Sequence, residues 1–212
     1  MENISTLYVL PIIVFFSMGP AMGTVSPEAI TAVCDANDID AEVIDRELGM
    51  ICLIPDSIRD EFRDTVFAVA DRLCIEPDWL MVVMWAESRF DPNVFNREGS
   101  GAVGLIQWVR PTARELGTTT ADLSRMTMVQ QMKYVSLYLD MVRYRFGDYD
   151  SLTDLYLGIL YPKARKKGFD YVLYSSPSKA YSQNKGLDRD SDGKVTVREI
   201  DIRMNRLLKS SY

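Results

Sequence analysis

Apolar residues recur every three to four positions along most of this chain, the spacing that places them on one face of an α-helix. Glycine and proline residues separate the apolar stretches and mark where each helix stops. No alternation typical of a strand persists for long, so the sequence predicts an all-α fold without internal repeats. The pattern predicts helices over 58–74, 77–90, 111–116, 128–146, 151–161 and 197–208.

The predicted helix 77–90 differs from the others because residues 79–86 are apolar on every side. A helix of this kind is buried in the centre of a domain and does not lie on its surface. Pro77 suits the first helical position, and Asp78 places a negative charge in the first turn. We therefore expect this helix to be the central one.

Glu87 is a charged residue that directly follows the apolar stretch 79–86 of this helix. The residues three, four and seven positions earlier share its face and are all apolar. A carboxyl held against an apolar surface has a raised pKa, which is the property that a general acid needs near neutral pH. The alternative is a structural glutamate that is paired with Arg89 or Arg114.

Charge and composition divide the chain and narrow its chemistry. The net charge of −6 argues against nucleic-acid binding through a basic face. Histidine is absent, which excludes catalysis or zinc binding by histidine. Residues 3–27 carry no charge, but no Lys or Arg precedes them as in an ordinary signal peptide. The predicted divisions are a signal peptide or membrane anchor (1–27), an acidic connecting region with short helices (28–60), a helical domain (61–174) and a C-terminal segment (175–212).

The three cysteines are too few for a disulfide framework and lack metal-ligand spacing. In an oxidising compartment, Cys34 and Cys52 could pair and leave Cys74 as a buried thiol. Three free, buried cysteines are the alternative.

Two stretches around Glu87 resemble the soluble lytic transglycosylase family, which shares the goose-type lysozyme fold. Residues 76–80 (Glu-Pro-Asp-Trp-Leu) and 85–92 (Trp-Ala-Glu-Ser-Arg-Phe-Asp-Pro) resemble its catalytic helix. Residues 99–107 resemble its second motif, a glycine followed by two apolar residues and a glutamine, and 112–117 continue the match. The resemblance covers roughly 62–162 and implies a lysozyme-like helical domain.

The resemblance also implies roles for particular residues. Glu87 is expected to protonate the oxygen between N-acetylmuramic acid and N-acetylglucosamine, and then to take the proton of the muramic acid C6 hydroxyl as a 1,6-anhydro ring closes. Ser88 is expected to orient Glu87 or the sugar, although a hydrogen bond to its own helix is the alternative. Gln107 is expected to bind a sugar amide or hydroxyl, unless its amide faces solvent.

The third motif of the family, alanine-tyrosine-asparagine-alanine-glycine, is absent from this chain. Leu-Tyr-Leu-Gly at 155–158 falls in its place, so Tyr156 is the candidate for the tyrosine near the acid, with Tyr161 as the second choice. Either tyrosine could instead belong to the core. Because the asparagine is missing, the form of the product stays open.

Residues 188–199 (Asp-Arg-Asp-Ser-Asp-Gly-Lys-Val-Thr-Val-Arg-Glu) fill every constrained position of an EF-hand calcium loop. Gly193 occupies the sharp turn and Val195 the inward-packing apolar position. An acidic surface turn ahead of a helix is the alternative. We expect a single appended EF-hand-like loop that orders the C-terminal tail, with no evident route from Ca²⁺ to Glu87. The expected ligands are Asp188, Asp190, Asp192, the Lys194 carbonyl and Glu199.

The sequence therefore predicts a calcium-stabilised lytic transglycosylase that cuts the glycan strands of peptidoglycan. The alternatives are a goose-type-like muramidase that uses Glu87 with water, a non-catalytic wall-binding or virion structural protein, and a calcium sensor. We expect a location in the bacterial cell envelope, periplasmic or membrane-anchored, or in a phage virion, with membrane contact through the apolar N-terminal segment.

Overall fold

The computed structural model describes residues 48–96 and 100–211, and within these ranges the chain is mainly helical. The predicted signal peptide or anchor (1–27) lies outside the described residues, and none of the described helices has the length and apolarity needed to cross a membrane. The helices are α1 (Arg59–Leu73), α2 (Pro77–Ser88), α3 (Arg110–Glu115), α4 (Thr120–Leu123), α5 (Met128–Phe146), α6 (Leu152–Leu160), α7 (Lys179–Asn184) and α8 (Val197–Lys209). The strands are β1 (Val172–Ser175) and β2 (Lys194–Thr196), and short 3-10 turns cover Ile51–Leu53, Asp56–Ile58, Pro162–Ala164 and Lys185–Leu187.

Helix α2 is the centre of the fold, as its apolar surface predicts. It packs against α1, α6 and α8, while α5 packs against α1 and α6. Five consecutive residues, 80–84, are buried, so every side of α2 faces another element. The prediction of a central helix is confirmed.

Most helix ends follow local sequence signals. Thr127 and Gln130 form a capping box at the start of α5, and Gly147 ends that helix with a φ of +84°. Helix α2 ends two residues before the predicted limit at 90, because Arg89 and Phe90 take left-handed backbone conformations. This early end leaves Glu87 in the last turn of α2.

The C-terminal segment packs onto the helices and, among the described residues, adds a pair of strands that the all-α prediction missed. Strands β1 and β2 pair antiparallel, and α8 follows β2 directly. Helix α8 contacts α2 and α6, and the Thr153 hydroxyl of α6 donates a hydrogen bond of 2.7 Å to Asp201 of α8. The described residues thus form one compact unit.

The cysteines correct both alternatives left open by the sequence. Cys74 takes part in a disulfide and is exposed, whereas Cys52 is a free, exposed thiol. A pair of Cys34 with Cys52 that leaves Cys74 as a buried thiol is therefore wrong, and so is the alternative of three free, buried cysteines. Sequence spacing could not decide this, because disulfide partners depend on which Cα atoms the fold brings within reach.

Candidate active site

Glu87 lies in the last turn of α2 and has no solvent-exposed surface. Burial removes its carboxyl from water, which disfavours the ionised form and raises the pKa from 4.5 to about 8. The carboxyl is therefore protonated at neutral pH, which is the state of a proton donor. This is the property that the apolar helix face predicts.

Four other side chains interact electrostatically with Glu87, each from a different element: Tyr156 of α6, Tyr174 of β1, Tyr138 of α5 and Arg203 of α8. Burial raises the pKa of all three tyrosines, so their hydroxyls stay neutral. The Arg203 guanidinium lowers the pKa of Glu87 and so opposes part of the effect of burial. The carboxyl thus lies among three neutral hydroxyls and one cation.

Tyr156 is fully buried and interacts with Glu87, as expected for the tyrosine near the acid. The interaction lowers the pKa of Glu87, yet neither carboxyl oxygen nor the Tyr156 hydroxyl has a hydrogen bond of regular geometry to any described residue. Buried polar atoms without a partner are costly. The pair therefore has free capacity to donate to or accept from a bound molecule.

The sequence did not reveal Tyr138, whose hydroxyl donates to the Gly158 carbonyl, nor did it reveal Tyr174 and Arg203. The Tyr174 hydroxyl and the Arg203 Nε are also buried without a hydrogen-bond partner among the described residues. Both belong to the segment after residue 170, far from the motifs that resemble the transglycosylase family. The only signal in the sequence was a cation on the flank of an amphipathic helix, which is normally a solvent-facing position.

Two other predicted residues are linked to this centre, Ser88 through the chain and Tyr161 through Tyr174. Ser88 is buried, and its hydroxyl donates to the Met84 carbonyl at 3.0 Å, which is the local bond given as its alternative. Tyr161 is half-buried, and its ring packs edge-on against Tyr174 with 5.8 Å between the ring centroids. It therefore contacts a neighbour of Glu87.

Gln107 is fully buried and not solvent-facing, and its backbone φ is +55°. Its Nε2 donates to the Gly104 carbonyl at 3.1 Å, while its Oε1 has no partner among the described residues. The free carbonyl oxygen can accept one hydrogen bond, which suits the predicted contact with a sugar amide or hydroxyl.

Gln131 of α5 holds the glycine-rich loop in place, a role that the sequence did not suggest. Its Oε1 accepts a hydrogen bond from the Leu105 N–H at 2.8 Å, and its Nε2 donates to the carbonyls of Pro92 and Leu123 at 2.7 and 2.9 Å. Gly104 has a φ of +73° and lies directly against this amide, where a side chain has no room. The buried Gln131 amide thus holds the loop that carries Gln107 in place.

The acidic loop 188–193 forms a second, separate cluster of carboxylates before β2. Oxygens of Asp188, Asp190 and Asp192 lie within 4.8 Å of one another. Gly193 has a φ of +86° at the sharp turn, and its N–H donates to Asp188 at 2.9 Å. Backbone N–H groups also donate to Asp190 and Asp192, so the loop curls around its own side chains.

The other predicted calcium ligands belong to β2 and α8. Lys194 begins β2 beside this loop, and Val195 is fully buried, as predicted for the inward-packing position. Glu199 lies in the first turn of α8, where its oxygens accept bonds from the N–H groups of Arg189 and Thr196 at 2.6 and 2.8 Å. Glu199 therefore ties α8 to the loop, and its oxygens are not part of the three-aspartate cluster.

Known proteins are similar to the part of the chain that contains Glu87. Residues 64–153 match the transglycosylase SLT domain. Over 87 residues the chain is 34% identical to the membrane-bound lytic murein transglycosylase F of Desulfosudis oleivorans, an alignment that covers 41% of this chain and 18% of that protein. The chain thus spans less than a fifth of the length of this relative. The SLT segment contains Glu87, Ser88 and Gln107, whereas Tyr156, Tyr161 and the acidic loop follow it.

Proposed function

We propose that this protein is a peptidoglycan lytic transglycosylase with Glu87 as its general acid and base. The observation that carries the proposal is the fully buried Glu87 carboxyl, whose pKa of about 8 keeps it protonated at neutral pH. The SLT match over 64–153 and the murein transglycosylase relative support the choice of substrate, the β-1,4 bond between N-acetylmuramic acid and N-acetylglucosamine.

The reaction needs one carboxyl and consumes no water. Glu87 donates its proton to the bridging oxygen, and the bond from that oxygen to C1 of the muramic acid breaks. The C6 hydroxyl oxygen of the same sugar bonds to C1, and its proton passes to the Glu87 carboxylate, which restores the acid. The Gln107 carbonyl oxygen and the Tyr156 hydroxyl lack partners among the described residues, which supports their proposed contacts with the sugar.

Access to Glu87 requires a small opening of the site. Because the carboxyl has no solvent-exposed surface, a glycan strand reaches it only after neighbouring side chains move. The unpaired polar atoms around Glu87 favour such a movement, since a sugar can give them the hydrogen bonds that they lack.

Digestion of purified sacculi tests the proposal. We expect wild type to release 1,6-anhydromuramyl products, detected by mass spectrometry, and Glu87→Gln to lose about 10²–10⁴-fold in rate, the usual contribution of general acid catalysis. Glu61→Gln, which alters an exposed glutamate of α1, is the matched control and should digest normally. Reducing ends without the anhydro ring would instead identify a muramidase, and equal digestion by Glu87→Gln would exclude both enzymes.

We also propose that residues 188–199 bind one Ca²⁺ ion. The proposed ligands are the carboxylates of Asp188, Asp190 and Asp192, the Lys194 carbonyl and Glu199. The proposal is supported by the convergence of the three aspartates, by the positive φ of Gly193 and by the oxygen-only donor set that a hard cation prefers. The Asp188 Oδ1 atom is buried without a hydrogen-bond partner in the described chain, so it can accept a cation.

For the location of the protein, we propose the bacterial cell envelope or a phage particle that acts on it. The support is the name of the relative, a membrane-bound murein enzyme, together with the uncharged stretch 3–27. Fractionation of cells that express the full chain tests this: recovery with membranes or periplasm supports the proposal, and recovery in the cytoplasm alone contradicts it.

A further inference from the structure

We propose that Arg203 is a positioning residue for Glu87: helix α8 brings its guanidinium near the Glu87–Tyr156 pair, and this cation stabilises the carboxylate during the reaction. The inference rests on the proposed function but concerns a residue outside the segment that matches the SLT domain. Its basis is the packing of α8, the unpaired polar atoms and the charges around Glu87.

Helix α8 is a fixed part of the compact unit that holds Glu87. Ile200 and Met204 are fully buried, and α8 packs against both α2 and α6. The Thr153–Asp201 bond joins its middle to α6, and the Met50 N–H donates to the Ser211 carbonyl just after its end. Arg203 is therefore held at a set place beside α2 and does not belong to a loose C-terminal tail.

The Arg203 Nε is buried and lacks a hydrogen-bond partner among the described residues. Both oxygens of Glu87 and the Tyr156 hydroxyl are buried as well, and although these two groups interact, none of the three atoms has a hydrogen bond of regular geometry to a described residue. A guanidinium donates in a planar fork that matches a carboxylate. Arg203 and Glu87 interact electrostatically, so this unpaired donor lies near carboxyl oxygens that lack hydrogen bonds of regular geometry.

The charge balance at Glu87 depends on four side chains. The groups that face it are the hydroxyls of Tyr156, Tyr174 and Tyr138, all held neutral by burial, and the Arg203 guanidinium. Within the described part of the chain, Arg203 is the cation that lowers the pKa of Glu87. It is the group that can compensate a negative charge there.

These observations give Arg203 a defined task. When Glu87 passes its proton to the leaving oxygen, a carboxylate forms in a buried, apolar place, where an uncompensated charge is costly. A cation fixed in advance offsets that cost without reorganisation. The same cation keeps the carboxylate oriented until the C6 hydroxyl returns a proton.

The test compares Arg203→Gln, Arg203→Met and Arg203→Lys with Arg206→Gln, which alters an exposed arginine of the same helix. The neutral residues Gln and Met both suit a helix, so one of them serves if the other does not fold. Sacculus lysis is measured from pH 5 to 10. We expect both neutral variants to lose on the order of ten- to a hundredfold in rate, and their activity to decline at higher pH than in wild type, where it declines near pH 8. Arg203→Lys should keep the wild-type pH of decline and recover part of the rate.

Unchanged rates and pH profiles in both neutral variants would overturn the proposal, and so would faster lysis, which would mean that Arg203 holds the site closed. If wild type does not digest sacculi, the proposed function fails, and the arginine is tested separately. For that purpose the Glu87 carboxyl, assigned by its absence in Glu87→Gln, is titrated by ¹³C NMR. A pKa that rises in Arg203→Gln but not in Arg206→Gln supports the contact, and equal pKa values overturn it.

Discussion

Glu87 and the acidic loop 188–193 hold carboxyl groups in opposite environments within one compact unit. Glu87 is fully buried, lacks a regular hydrogen bond to any described residue, and has a pKa raised to about 8. Asp188 accepts hydrogen bonds from the Tyr181 hydroxyl and from backbone N–H groups including that of Gly193, and its pKa is lowered. The difference lies in the groups that surround each carboxyl.

The comparison shows how one functional group serves two chemistries. A carboxyl whose burial outweighs the effect of the donors around it keeps its proton and can give it to a substrate. A carboxylate that is surrounded by N–H and O–H donors stays ionised and can bind a cation with its remaining oxygens. Each of the following predictions tests one side of this contrast, in order of decreasing effect on stability.

The largest effect is expected from Glu87→Gln at high pH. Because the pKa is about 8 in the folded protein and 4.5 in the unfolded chain, the folded state binds more protons between these values. Wild-type stability contributed by Glu87 is therefore complete below pH 4.5 and is lost as the pH rises to 8. Glu87→Gln removes this loss, so its stability relative to wild type should rise by up to about 5 kcal/mol from pH 4.5 to 9.

Urea unfolding at several pH values measures this gain. Glu61→Gln, at an exposed position of α1, should show no comparable trend with pH. A relative stability of Glu87→Gln that does not change with pH would mean that Glu87 titrates like an exposed glutamate, and the contrast with Asp188 would then be wrong.

Gly104→Ala tests how tightly the glycine-rich loop that carries Gln107 is packed. The new methyl group would lie 2.8 Å from the Gln131 Nε2, and the φ of +73° adds backbone strain. We expect a loss of about 3 kcal/mol, because crowding and the left-handed conformation both contribute. Gly117→Ala is the matched control, since Gly117 has the same φ with no atom within 4 Å. Equal losses in the two variants would contradict the role of Gln131.

Calcium tests the other side of the contrast. At a Ca²⁺ concentration 100 times the dissociation constant, binding to the folded state should stabilise the protein by about 2.7 kcal/mol, seen as a higher Tm. Asp190→Asn should remove this effect, whereas Asp71→Asn, an exposed aspartate of α1, should keep it. A Tm of wild type that does not respond to millimolar Ca²⁺ would exclude the proposed site.

The sequence predicts the helices well because their signals are local. The apolar surface of α2, the capping box of α5 and the glycine after Phe146 each act within a few residues, and all are present in the fold. Helices α4 and α7 and the β1–β2 pair were missed, since they are short and depend on packing or pairing with distant segments. A three-residue strand such as Lys194–Thr196 has too few positions for a pattern.

The same division applies to the site. Glu87 could be predicted because the apolar residues of its own helix already indicate burial, and burial raises its pKa. Arg203 and Gln131 could not, because each acts on a segment far away in sequence through tertiary packing. The sequence also contains no sign that the segment after the acidic loop is linked to Glu87, whereas α8, which begins after this loop, carries Arg203, whose charge lowers the pKa of Glu87.

Gly193→Ala should have the smallest effect on stability and separates backbone strain from packing in the acidic loop. The φ of Gly193 is +86°, but a methyl group there would meet only the Ser176 side chain at 3.6 Å, an ordinary contact. The loss should therefore come from the left-handed conformation alone, about 1 kcal/mol in the metal-free protein, close to that of Gly117→Ala. A side chain at Gly193 has room, whereas a side chain at Gly104 would press on the Gln131 amide. A loss as large as that of Gly104→Ala would therefore contradict this difference between the acidic loop and the glycine-rich loop. Chemical denaturation in the presence of a chelator measures it without any contribution from bound Ca²⁺.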